Sequence, residues 1–69
     1  MFGERLKLAR KRSGLSLRGL ADAINHAVSA QAIGRYERNE MLPGSATALK
    51  LAKALGVPLS YLFSPSEIR

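Results

Sequence analysis

The chain has 69 residues, room for one small domain, and its 46% hydrophobic share is that of a folded sequence. Cysteine is absent, which excludes disulfides and thiolate metal sites, and no apolar run approaches the ~18 residues of a membrane span. Eleven Lys and Arg against five Asp and Glu leave a net charge of +6, which suits a polyanionic partner, nucleic acid or an acidic membrane surface, and equally suits a soluble surface that is merely basic. No secretory signal pattern opens the chain, so the expected location is cytoplasmic.

Phe2, Leu6, Ala9 and Ser13 recur at helical spacing and predict a first helix that Gly14 stops. Ser16 is a good N-cap for a second helix, whose Leu17, Leu20, Ala21 and Ile24 follow the i, i+3, i+4, i+7 pattern. Ser29 caps a third, with Ala32, Ile33 and Tyr36 as its inner stripe and an end near Arg38, before the turn-rich "NEMLPGS". Ser45 is expected to cap a fourth helix with Ala48, Leu51, Ala52 and Leu55 on one face and Gly56 at its close. Pro58 suits the first turn of a short fifth, "PLSYLF". With no sustained alternation of apolar and polar residues, the fold class is all-α, a bundle of five short helices.

The second and third helices are short and closely joined, the sequence form of a helix-turn-helix, in which the later helix enters the DNA major groove. If Ala32, Ile33 and Tyr36 turn inward, the opposite face presents Gln31, Gly34, Arg35 and Arg38. Gln pairs bidentately with adenine and Arg with guanine, while alanine methyls pack on the thymine methyl. Small residues let the helix backbone approach the bases; alternatively, Gly34 simply weakens an exposed helix by ~1 kcal/mol.

The run "GERLKLARKRSGLSLRGLADAI", then "VSAQAIGRYERNEMLP", then "LKLAKALGVPLSYLF" resembles the Cro/repressor class of helix-turn-helix domains, the XRE family, over residues 3–63. The landmarks are "GLS" before helix two, "LA" within it, "VS" opening helix three, I-x-R-Y-E through it and "LAKALGV" in helix four. The resemblance implies a compact five-helix bundle of lambda-repressor-like type with a recognition helix at about 29–38. Base-reading positions would be Ala30, Gln31, Gly34, Arg35 and Leu17; phosphate-contacting positions would be Ser16, Arg18, Ser29, Arg38 and Asn39. Arg10 and Glu37 match a pair that forms an internal salt bridge between helices one and three in such domains.

Three positions depart from the family pattern. Leu17 replaces a usual glutamine and fits hydrophobic packing as well as contact with a base methyl. Ala30 and Gly34 lack side chains that relatives use for readout. "NHA" stands where one glycine is usual, which lengthens the turn by two residues and leaves Asn25 to take the left-handed conformation. His26 has no partner ligands for a metal and no motif for nucleophilic catalysis, so it reads as an exposed turn residue, with a phosphate contact as the lesser alternative.

The resulting expectation is a sequence-specific double-stranded DNA-binding domain of a transcriptional regulator, of repressor type, without enzymatic activity, cofactor, metal or small-molecule ligand. It would act as a homodimer on a pseudo-palindromic operator. Leu59, Leu62, Phe63, Met41 and Leu42 are candidates for a dimer contact, with core cover as the plainer role. The alternative is an antitoxin-like or adaptor module that keeps the fold and binds protein, consistent with an outward Leu8; no helix joins a basic face to a broad exposed apolar one, so a membrane partner is not expected. Residues 64–69 read as a C-terminal tail or the start of a linker after a domain spanning 1–63.

Overall fold

The computed structural model describes residues 2–63; the 64–69 segment expected to be a tail or linker lies outside them. The described chain forms five helices, α1 (Phe2–Arg12), α2 (Leu17–Ala23), α3 (Ala30–Glu37), α4 (Ser45–Leu55) and α5 (Leu59–Phe63), and no strand. The largest fully buried side chains are Leu6, Leu20, Ile33, Leu51 and Leu62, one from each helix. Every helix therefore donates one anchor to a single core, each anchor supplying ~1.5–3 kcal/mol of hydrophobic stabilisation. Alanines at 9, 21, 48 and 52 fill the space between anchors and allow close helix packing.

The four longer helices stop in the same way. At the ends of α1 and α4, Gly14 (φ 73°) and Gly56 (φ 70°) turn left-handed. After each glycine, the next N–H donates back to a carbonyl five residues earlier: Leu15 to Arg10 at 3.2 Å and Val57 to Ala52 at 3.1 Å. At the ends of α2 and α3, asparagine does the same job: Asn25 (φ 56°) and Asn39 (φ 61°) precede bonds from His26 to Ala21 (2.8 Å) and from Glu40 to Arg35 (2.9 Å). Asn25 thus takes the left-handed role expected of it, and His26 (φ 57°) adds a second left-handed residue to the turn.

Three local expectations need correction. Ser13 is exposed, because the chain has already left the helix after Arg12 to make the glycine turn. Ala32 is only half-buried, at the edge of the stripe formed by Ile33 and Tyr36. The N-cap of α4 is Gly44 and not Ser45, which is the first helical residue; no side chain caps this end.

Candidate nucleic-acid interface

Ser16 and Ser29 cap α2 and α3 as their positions suggested: the Ser16 hydroxyl oxygen accepts from the Gly19 N–H at 2.9 Å, and the Ser29 oxygen from the Ala32 N–H at 3.1 Å. A hydroxyl that accepts a capping bond keeps its own proton for donation. Both serines are exposed, so each presents an O–H donor to a ligand lying across these helix starts.

A groove runs along the solvent side of α3, lined by Leu17, Ser29, Ala30, Gln31, Ala32, Gly34, Arg35, Arg38 and Met41. Gln31, Arg35 and Arg38 are exposed along it. Gly34 differs from expectation: it lines the groove but is itself buried. A Cβ at that position would lie 3.6 Å from Leu17 Cδ1 and 3.3 Å from Arg38 Nη1. The space left by the missing side chain is therefore covered by these two neighbours, because α2 packs across α3 there. Leu17 is half-buried, with part of its surface on the core and part in the groove wall. Arg18 is exposed on α2.

The orientation of α3 is fixed from behind. Arg10 on α1 donates through Nε to Glu37 Oε2 at 2.6 Å and through Nη2 to Glu37 Oε1 at 3.0 Å. Its Nη1 donates to the Leu15 carbonyl at 2.8 Å. The two side chains are 11% and 6% exposed, and the hydrogen-bonded carboxylate holds the guanidinium above the ordinary arginine value. Arg10 thus ties α1, the turn before α2, and α3 together, and its charge is committed internally.

Asn39 also acts inward. Its Oδ1 accepts from the Gly3 N–H at 3.0 Å, a donor in the first turn of α1 that has no partner within its own helix. The approach is close enough that a Cβ on Gly3 would sit 2.5 Å from the Tyr36 and Glu37 carbonyl oxygens. Nothing in the sequence near Asn39 or Gly3 signals this cap, since 36 positions separate the partners. A second pairing was also missed: Arg38 donates through Nε to Glu40 Oε2 at 2.9 Å on the open surface. That hydrogen bond raises the Arg38 value and holds the Glu40 carboxyl below its ordinary range. Met41 was noticed in the sequence only as a dimer candidate, yet it lines the groove.

His26 is exposed, and its Nε2 lies 2.7 Å from Asp22 Oδ1 one turn earlier on α2. Among the described residues no group of His, Cys, Asp and Glu could hold a metal ion, and no helix is long and apolar enough to cross a membrane.

Comparison with known proteins adds a consistent set of relatives. A family model described as helix-turn-helix matches residues 6–62. The chain is 44% identical over 62 residues to the HTH-type transcriptional regulator SutR of Escherichia coli (strain K12), covering 90% of this chain and 34% of that protein. It is 39% identical over 62 residues to YonR, an SPbeta prophage-derived uncharacterized HTH-type transcriptional regulator of Bacillus subtilis (strain 168), covering 90% and 56%. The chain thus spans about a third to just over half the length of these two regulators. Among solved structures it is similar to the P22 c2 repressor protein in complex with synthetic operator 9T in the presence of Tl+, with a TM-score of 0.82, 34% identity, and coverage of 90% of this chain and 91% of that one.

Proposed function

The chain belongs to the helix-turn-helix family, and from that premise we propose that it binds double-stranded DNA sequence-specifically as a cytoplasmic transcriptional regulator of repressor type, with no catalytic activity of its own. The observation that carries the reading is the groove along α3, where exposed Gln31, Arg35 and Arg38 line up on a helix held from behind by the Arg10–Glu37 pair. The P22 c2 repressor, whose fold this chain shares, is bound to operator DNA in its structure. Gln31 and Arg35 read base edges, with Ala30, Leu17 and the covered Gly34 forming the wall beside them. Ser16, Ser29, Arg18 and Arg38 grip phosphates, and Asn39 joins them through its amide NH2 while its oxygen caps α1.

Two copies would occupy half-sites one helical turn, ~34 Å, apart on a pseudo-palindrome. Of the apolar residues suggested for that homodimer contact, Leu42 and Phe63 are the most exposed, at 67% and 50%, and Met41 is 36% exposed; Leu62 is in the core and Leu59 is half-buried.

The test is binding to duplexes selected from a random library. Affinity falls steeply as salt rises, as expected for several phosphate contacts, and Arg35→Ala relaxes preference at one base pair at a cost of ~1–3 kcal/mol. Unchanged affinity and preference in Arg35→Ala would refute the assignment. The exposed Leu8 (42%) and Leu42 favour one other reading, an antitoxin-like or adaptor module that binds protein. Retention on heparin that is weak even at low salt would select that reading.

A further inference from the structure

The groove along α3 contains an apolar strip that the polar contacts leave unused. Leu17 is its centre, seated over Gly34 with Cδ1 3.6 Å from where a Cβ would be. Ala30, half-buried, and Met41, 36% exposed, line the same groove. The polar groups there, Ser29, Gln31, Arg35 and Arg38, lie on α3 or at its two caps, whereas Leu17 belongs to α2 and offers neither donor nor acceptor.

Base edges in the major groove are donors and acceptors, with one apolar exception, the 5-methyl group of thymine. A donor or acceptor pressed against leucine loses its water without gaining a partner, and that is costly. A methyl group loses water to advantage. Gly34 matters here because a Cβ there would already touch Leu17 Cδ1 at an ordinary 3.6 Å, so only a side chain longer than alanine would displace Leu17 from the groove wall.

We infer that Leu17, supported by Gly34 and flanked by Ala30 and Met41, selects thymine at one position of the DNA site through the thymine 5-methyl group. This rests on the DNA-binding reading of α3 and adds the chemistry of one recognised base.

The experiment uses the full chain and a duplex selected from a random library. Each thymine is replaced singly by deoxyuridine, which removes the methyl group and keeps every hydrogen-bonding atom. One position is expected to weaken binding about four-fold, equivalent to the ~0.8 kcal/mol of one buried methyl group. In Leu17→Ala that thymine-to-uridine ratio shrinks toward one while the salt dependence stays as in the parent. The inference is overturned if the parent binds the selected duplex specifically yet tolerates uridine everywhere, or if the ratio keeps its full size in Leu17→Ala. Failure to bind any duplex would overturn the DNA-binding reading, and this inference with it. The uridine series leaves the protein untouched, so its outcome does not depend on how well the variant folds.

Discussion

Replacing Arg10 by Met while keeping Glu37 would strand a carboxylate that is 6% exposed and now makes two charge-assisted bonds, and would remove the donor to the Leu15 carbonyl. Breaking one side of a buried pair costs ~3–5 kcal/mol. A chain of 69 residues has, at ~0.05–0.15 kcal/mol per residue, only ~3–10 kcal/mol in total. Arg10→Met is therefore expected to lower the melting temperature by more than ~12 °C, since each kcal/mol shifts a domain of this size by ~4–8 °C. Glu37→Leu alone should cost nearly as much, with Arg10 keeping only its bond to Leu15. The double variant Arg10→Met, Glu37→Leu removes both charges, and its residual cost is the ~1–3 kcal/mol of the Leu15 carbonyl left without a donor. Urea denaturation followed by far-ultraviolet circular dichroism measures all three, and the double variant should be more stable than either single one. Single variants that each lose less than ~1 kcal/mol, or a double variant whose loss equals their sum, would refute the reasoning.

Gly3→Ala places a methyl group against two backbone carbonyls and the Asn39 oxygen at 2.5–2.7 Å, so α1 must move from α3 or fray, at ~1–3 kcal/mol on the same denaturation curve. Gly34→Ala should go the other way in stability: its Cβ meets Leu17 at ordinary distance and only the mobile end of Arg38 closely, so the helix gains up to ~1 kcal/mol. Glu40→Gln releases Arg38 from its surface pair and is expected to tighten DNA binding a few-fold with a steeper salt dependence, read in a salt titration. Because Arg38 holds the Glu40 carboxyl below its ordinary value, that pair is fully formed above the ordinary carboxylate range and is lost only as pH falls through the lowered value. Wild-type binding should accordingly show no step from this pair between about pH 6 and 8.

Periodicity, caps and turn residues identified each helix in the sequence, because helix stripes and stops depend on neighbours three to five positions apart. The stripes of Leu6 and Ala9, of Leu20 and Ala21, and of Leu51 and Leu55 could be read directly, as could Ser16 and Ser29 as caps and Asn25 as a left-handed stop. Of the interface, the exposure of Gln31, Arg35 and Arg38 followed from the same periodicity, and the Arg10–Glu37 pair followed from family resemblance rather than from spacing. The tertiary structure decided what depends on residues distant in the chain. It buried Gly34 under Leu17 and Arg38, where helical periodicity placed it on the open face. It set the Asn39 oxygen as a cap for the Gly3 N–H, 36 positions away, a role no local pattern signals. It brought Leu17 and Met41 from opposite sides of α3 into one groove wall. A helix stripe tells which side of a segment meets the core, but the neighbour that covers its remaining surface is set by how helices cross, and no local pattern of residues encodes that angle.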